Sequence, residues 1–534
     1  MNNPCQLIDE WVPSHTRKRC ADYVLKMQRR LDKAVRDNDV DRIRHITYLL
    51  SRRSLAVRIV AIERVTRTNT GKHTAGVDGV TTPSKRKEAD RFRRQLLEKV
   101  DGRKSPSPIR RIYIPKPNGK GRPLGISTIT DRVIQDLIRI TIEPIAEYHF
   151  SENSYGFRPK RSCHDAIQHI FNKTSSRGCP QWILEGDIRG CFDHIDHNSI
   201  LNQMAEWKIP KSIREIVRSM LKAGITSETG YQQSYEGTPQ GGILSPMLAN
   251  IALTTLDEWG ESLVRRKSDS NPIVRYADDF IVVCKSKEEA IGRREEIKTL
   301  LDSKIGLELS DEKTRITNIH QGFNFLGFNI RKYRQKSPHS KYHQVGQLLI
   351  KPQMEKVQTF LKKGAETIRE AKGRNLAFLI RQLNPKLKGF ANYYRFVVSK
   401  RTLNKLTYQI TEKTYRWLCK SHPNKSRRWV WKRYTTNYRN QRTITFGMYC
   451  EHLYLPTFMP ITRFTKVKRG RRVYDNSPET REYWLVREYK NSLDSIYSTR
   501  VEKLFKRQRG RCPVCRKEIA GEQIRNNDLH QHVK

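Results

Sequence analysis

Ile273-Val274-Arg275-Tyr276-Ala277-Asp278-Asp279-Phe280-Ile281-Val282-Val283 sets two apolar, strand-like runs on either side of two adjacent acids. The pattern reads as a β-hairpin with both carboxylates at its tip. Carboxylates left unpaired beside buried strands are costly, so a cation is the natural compensation. An acidic turn without an ion is the plainer alternative. Upstream, Trp182-Ile183-Leu184-Glu185-Gly186-Asp187-Ile188 is a second apolar run that ends in an acid and leads into helix-like sequence. Asp187, Asp278 and Asp279 together can clamp two divalent ions, the arrangement that supports in-line phosphoryl displacement. Asp193 and Asp196 follow on the helix-like stretch and read as solvated acids outside that cluster.

Between the two acid-bearing strands lies Gly237-Thr238-Pro239-Gln240-Gly241-Gly242-Ile243-Leu244-Ser245-Pro246. Its glycines allow a backbone to approach a ligand closely, and a rigid loop before a helix is the structural alternative. Residues 182–283 alternate short strands with helical stretches, which predicts an α+β domain. Further upstream, Arg111-Ile112-Tyr113-Ile114, then Pro115 to Gly121, then Arg122-Pro123-Leu124-Gly125-Ile126 reads as strand, Asn-Gly turn, strand. A helix follows through Val133, Leu137 and Ile140 to Pro144, read as its breaker. Leu25, Leu31, Val35, Ile43, Ile46, Leu49 and Leu50 predict helices over residues 21–67, and Thr68 to Gly79 reads as a loop. Strand signals thin out beyond about residue 345, and residues 354–420 read as helices.

The 534 residues carry 103 Lys+Arg against 55 Asp+Glu, a formal charge of +48. Such an excess needs an anionic partner, and nucleic acid leads because each neutralised phosphate releases counterions. The 9% aromatic content argues against wholesale disorder. No apolar run approaches a membrane span, and the first residues lack the order of a secretory signal. The ten cysteines are too sparse for a disulfide scaffold. The expected setting is cytoplasmic, at the nucleoid when on DNA.

In this order, the motifs resemble those of the reverse transcriptase/maturase proteins encoded by group II introns. The resemblance rests on Thr74-Ala75-Gly76-Val77-Asp78-Gly79, the Ile114–Ile126 hairpin, Tyr155-Gly156-Phe157-Arg158-Pro159, the Asp187 strand, the Gly237–Pro246 loop and Tyr276-Ala277-Asp278-Asp279. Leu309-Ser310-Asp311-Glu312-Lys313-Thr314 and Phe325-Leu326-Gly327-Phe328 complete it. It implies a right-hand polymerase with an antiparallel palm sheet, an α-helical thumb/maturase domain and a basic carboxyl-terminal region. The implied divisions are 1–75 (helical extension), 76–340 (fingers and palm), 341–440 (thumb/maturase), 441–505 (basic, DNA-binding) and 506–534 (nuclease remnant). Asp187, Asp278 and Asp279 match the catalytic ligands of two Mg²⁺ ions, with the Ile188 carbonyl as a backbone ligand and Mn²⁺ as a substitute. Lys116 and Arg122 match residues that grip the incoming triphosphate. Phe192 matches the steric gate against a ribose 2′-hydroxyl, Gln240 the loop residue touching nucleotide and template, and Lys313 the lysine that protonates pyrophosphate.

Leu383-Asn384-Pro385-Lys386-Leu387-Lys388-Gly389-Phe390-Ala391-Asn392-Tyr393-Tyr394-Arg395 resembles the maturase signature. Helical spacing puts its apolar and aromatic residues in packing, with Lys386, Lys388 and Arg395 on a basic face that would track RNA. Residues 425–442 and Lys466 to Arg472 mix Arg and Lys with Trp and Tyr, which suits phosphate contacts and base stacking. Cys512-Pro513-Val514-Cys515 reads as half a zinc site and resembles the opening of an H-N-H endonuclease domain. The rest of that domain's pattern does not follow, so the expectation is a remnant without DNA cleavage, with Cys512 and Cys515 as candidate Zn²⁺ ligands and a metal-free remnant as the alternative. The implied function is an RNA-directed DNA polymerase that binds its intron RNA, promotes splicing and supports retrohoming by target-primed reverse transcription. Its partners would be the intron RNA, target DNA and deoxynucleoside triphosphates. Two readings compete. A splicing maturase without polymerase activity would not need the three aspartates, and a retron- or defence-type reverse transcriptase would not need the maturase signature.

Overall fold

Val24, Met27, Leu31, Ala34 and Val35 recur at helical spacing and are buried on one face of a helix over Ser14–Arg36 (α1). Val40–Tyr48 (α2) and Leu55–Glu63 (α3) follow, started by Asp39 and Ser54, whose side chains accept from the Arg42 and Val57 amides. The computed structural model describes residues 11–100, 105–115, 121–176, 178–227, 230–264, 271–333, 346–438, 440–447 and 451–492. The chain divides into two units: residues 1–166, 183–316 and 467–481 form one, and 167–182, 317–466 and 482–534 the other. No helix among the described residues is long and apolar enough to cross a membrane.

In the first unit, Arg86–Lys99 (α4) precedes the hairpin of Ile109–Pro115 (β1) and Gly121–Ile126 (β2), paired from Arg110↔Ile126 to Pro115↔Gly121. Ile129–His149 (α5) is buried along most of its length and is capped by Thr128. Pro144 does not break it, contrary to the sequence reading. A proline at this position cannot donate to the Ile140 carbonyl four residues back, and Gln28 of α1 supplies the missing donor through its Nε2 at 2.8 Å. After Cys163–Thr174 (α6), most of which belongs to the second unit, the palm-like sheet is built from Trp182–Asp187 (β3), Ile273–Tyr276 (β6), Asp279–Cys284 (β7) and Arg315–Asn318 (β8), whose last two residues also belong to the second unit, in the order β6-β7-β3-β8. Between β3 and β6 run Cys191–His194 (α7), His197–Glu206 (α8), Lys211–Leu221 (α9), the short strands Ile225–Ser227 (β4) and Gly230–Gln232 (β5), Ser245–Ala252 (α10) and Thr254–Ser262 (α11). Strands β4 and β5 extend the first hairpin into a sheet of order β2-β1-β4-β5. Lys287–Ile305 (α12) ends at Gly306, where a φ of 66° suits glycine.

Residues 467–481 return to this first unit. The Val467 amide donates to Asp165 at 2.7 Å, Arg469 pairs with Glu152 at 3.0 Å, and the Tyr474 hydroxyl donates to Glu143 at 2.9 Å. The Arg472 guanidinium lies over the Tyr148 ring. The basic run suits nucleic acid by composition, with a solvated charged surface as the plainer account; two of its side chains, Arg469 and Arg472, meet the protein's own Glu152 and Tyr148.

The second unit holds a three-stranded sheet of Phe323–Phe325 (β9), Phe328–Tyr333 (β10) and Gln347–Pro352 (β11), then Met354–Glu370 (α13), Leu376–Tyr394 (α14) and Lys400–Ser421 (α15). Arg427–Tyr434 (α16), a small sheet of Thr435–Tyr438 (β12), Gln441–Phe446 (β13) and Glu451–His452 (β14), and Pro478–Ser492 (α17), which starts in the first unit, complete the order. The maturase-like signature lies on α14. As the spacing predicts, its aromatics pack inward: the Tyr393 and Tyr394 hydroxyls donate to the Leu326 and Gly327 carbonyls, and both rings contact Phe328. Arg395 departs from the expected basic face. It is buried against Phe396 and donates to the Asn491 carbonyl, because it falls just past the end of α14, off its periodicity.

Candidate active site

Strands β6 and β7 pair with Tyr276 opposite Asp279, so the two-residue tip is Ala277-Asp278 and Asp279 opens β7. Only one of the two acids is therefore at the tip. Ala277 takes a left-handed φ of 58°, which closes so short a turn at a steric cost to a residue with a Cβ. Asp187 arrives at the end of neighbouring β3. Gly186 makes that approach fit: a Cβ there would stand 2.1 Å from the Phe280 ring. Two glycines thus set the turn's surroundings, since a Cβ on Gly156 would meet the Ala277 amide nitrogen at 2.4 Å.

The cluster is electrostatically strained. Burial first, then the Asp278 and Asp187 carboxylates, push Asp279 up to about 6, with Lys313 opposing them. The Lys313 ammonium donates to Asp187 Oδ2 at 2.8 Å, and that bond raises the lysine above its ordinary value. Burial likewise pushes the Cys191 thiol well up. The antiparallel bridge of Ile188 to Leu309 uses the Asp187 carbonyl and the Arg189 amide for its bonds. The Ile188 carbonyl therefore points away from Leu309. Among the described residues no three His, Cys, Asp or Glu side chains converge as a ready metal site. The donors still suit Mg²⁺, which takes hard carboxylate oxygens: three acids share one region with excess negative charge, and a single ammonium now holds one Asp187 oxygen.

The Gly237–Pro246 loop is pinned from several sides. The Thr238 and Gly237 amides donate to the Phe192 and Ile195 carbonyls, and the Gln240 carbonyl accepts from the Gly125 amide at 2.6 Å. Gln240 Nε2 donates to Asp193 Oδ2 at 2.9 Å, and the Ile243 amide donates to Gln135 of α5. Gly237, with a φ of 79°, has no room for a Cβ against the Asp193 carbonyl. Phe192 on α7 is half-buried beneath this loop. Neither neighbouring acid is the merely solvated residue expected from sequence: Asp193 holds Gln240, and Asp196 caps α8 by accepting from the Ser199 amide.

The structure brings together Asp187, Asp278, Asp279 and Lys313, and separately ties Phe192 to Gln240 through adjoining residues. Arg122 lies on β2 opposite Ile114, but its side chain falls outside the described residues, as do Lys116, Cys512 and Cys515 entirely. Arg275, Asn250 and Asp257, which no sequence motif singles out, form a buried network behind the turn. The signal was present: one arginine inside an otherwise apolar strand must find buried partners.

An α+β unit that carries acids on neighbouring palm-type strands and a pinned glycine-rich loop is the framework of a template-directed polymerase. The family model for reverse transcriptase (RNA-dependent DNA polymerase) matches residues 114–330. That for the N-terminal domain of reverse transcriptase matches 15–94, and that for the group II intron maturase-specific domain matches 357–435. The group II intron-encoded protein LtrA of Lactococcus lactis subsp. cremoris is 34% identical over 403 residues, 60% of this chain and 67% of that protein. Protein YkfC of Escherichia coli K12 is 34% identical over 304 residues, 51% of this chain and 80% of that protein. A solved telomerase of Candida albicans with a telomeric RNA fragment aligns at 13% identity and a TM-score of 0.35, covering 62% of this chain and 63% of that chain. The chain belongs to the group II intron-encoded reverse transcriptase/maturase family.

Proposed function

We propose that the chain synthesises DNA on an RNA template by two-metal nucleotidyl transfer, using its own intron RNA as template and splicing substrate and target DNA as primer. The observation that carries the reading is the meeting of Asp187 with the Ala277-Asp278 turn, where burial first and then the acidic neighbours raise Asp279 to about 6. Asp187, Asp278 and Asp279, with the Ile188 carbonyl, would hold the Mg²⁺ ions. When bound, such ions make a primer 3′-hydroxyl nucleophilic and offset charge on the leaving pyrophosphate. The protein's own groups do the rest. Lys313, whose ammonium hydrogen-bonds Asp187, would give a proton to the departing pyrophosphate. Gln240, oriented by Asp193, meets nucleotide and template, and the Phe192 ring obstructs a 2′-hydroxyl. Lys116 and Arg122 would pair with the triphosphate. Splicing and intron mobility fit the family, and the basic surface supplies the contacts to intron RNA.

Asp278→Asn tests the reading. Primer extension on an RNA template should fall about 10³-fold or more, roughly 4 kcal/mol of transition-state stabilisation, while intron RNA binding and splicing assistance on the same purified protein persist. Near-parental cDNA yield would remove Asp278 from the site. Loss of both activities together would deny their separation.

A further inference from the structure

Arg275 is fully buried in β6, one residue before the tyrosine that precedes the acid turn. Its Nε and Nη2 pair with the two oxygens of Asp257 on α11 at 2.9 and 2.5 Å. Its Nη1 donates to Asn250 Oδ1 on α10 at 2.8 Å and to the Ala277 carbonyl at 3.1 Å. Asn250 Nδ2 in turn donates to the Gly156 carbonyl at 2.9 Å, and Gly156 presses on the Ala277 backbone. The main chain of Arg275 is held as well, its amide by the Asn153 carbonyl at 3.0 Å and its carbonyl by the Tyr155 amide at 2.9 Å.

A buried ion pair adds little net stability over apolar residues of the same volume, so stability alone does not account for this network. Its distinctive contact is with a strained residue. Ala277 sits in the left-handed region, and such a conformation persists only where the surroundings over-determine it. We propose that Arg275 is a positioning residue for nucleotidyl transfer: braced by Asp257 and Asn250, it grips the Ala277 carbonyl and fixes where Asp278 and Asp279 stand. The role rests on the proposed reading of those acids. The planar fork suits arginine alone, since a lysine ammonium cannot hold Asp257 with two nitrogens and still reach Asn250 and the turn.

The test uses the full chain. Replacing the pair by apolar residues, Arg275→Met with Asp257→Leu, leaves no orphaned buried charge. Its melting temperature should stay within about 5 °C of the parent. The deoxynucleotide KM should hold within about threefold while kcat falls about a hundredfold. Without metal or substrate, amide exchange at residues 277–279 should quicken, and Mn²⁺ binding followed by electron paramagnetic resonance should weaken about tenfold. Arg275→Lys should recover only part of kcat. Asn250→Ser keeps the ion pair and should lower kcat about tenfold, which keeps the proposal testable if the double variant does not fold. A folded double variant with parental turn exchange and kcat would overturn it, as would full activity in Arg275→Lys or in Asn250→Ser. If exchange quickens but Asp278→Asn remains active, the proposed reading of the acids has failed and the bracing has not.

Discussion

Two regions of the first unit carry concentrated charge and treat it oppositely. At the end of β3 and the β6–β7 turn, three acids are held together with one ammonium among them, and burial together with the neighbouring carboxylates pushes Asp279 up to about 6 against that ammonium. Along residues 467–475, basic and aromatic side chains are dispersed onto partners: Arg469 on Glu152, Arg472 on Tyr148, Tyr474 on Glu143. Like charge crowded together inside a fold marks a place where something else is expected to bind. Opposite charge already paired marks a place where the protein has used the residues itself. Composition alone cannot tell these apart, since both appear as charge runs.

The acid cluster is most sensitive to change at Gly186. A single methyl there would drive into the Phe280 ring and push β3 away from β7, spreading the acids. Gly186→Ala should therefore lower kcat for primer extension about a hundredfold and destabilise the fold by about 1–3 kcal/mol. Phe280→Ala in the same chain makes room for the methyl and should restore part of the rate. Primer-extension kinetics with denaturant melts on the single and double variants give the coupling. Additive losses would show that the spacing of the strands is not what holds the acids together.

The paired region answers with stability rather than rate. Burial, offset in part by the Tyr474 hydroxyl, holds Glu143 up at about 7. Tyr474→Phe removes a hydrogen bond to a buried carboxylate, whose other oxygen is still met by Arg139 at 2.8 Å. The loss should be about 1–2 kcal/mol in denaturant unfolding, with intron RNA affinity unchanged. A fall in RNA affinity at parental stability would return the segment to the nucleic-acid surface.

Legibility in the sequence followed the range of the determinants. The acid hairpin, the β1–β2 hairpin and the helix periodicities are local, and the structure forms each close to where the residues predict it. Pro144 misled because its remedy, Gln28, lies in another helix. Asp193 looked solvated because Gln240, its partner, is distant in sequence. Arg395 followed the basic pattern of its neighbours, yet the helix ends before it and the chain turns it inward. The return of residues 467–481 to the first unit depends on acids at 143, 152 and 165, and no window of sequence contains both sides.

The smallest effect is the most direct reading of the charge imbalance. The carboxyl of Asp279 rises from the ordinary 3.8 to about 6 in the folded chain. Folded protein therefore binds this proton more tightly than unfolded protein does, and the group's contribution to stability is lost as pH climbs from about 4 to about 6. Above that window both states are ionised and the folded state bears a constant penalty. Although protein surrounds much of the carboxyl, the residue keeps a solvent-exposed edge at the start of β7, and screening there holds that penalty to about 1 kcal/mol or less. Asp279→Asn removes it. In chelator-treated protein the variant should match the parent near pH 4 and melt a degree or two higher at pH 7.5. The other groups that titrate in this range, Asp136 and Glu143 among them, are common to both chains and cancel in the difference. Added Mg²⁺ should close the gap from the parent's side, because a cation among the acids neutralises the repulsion that the variant lacks. A variant that is less stable at every pH, with or without Mg²⁺, would mean that the Asp279 carboxylate is already compensated within the fold and that the two regions do not differ as described.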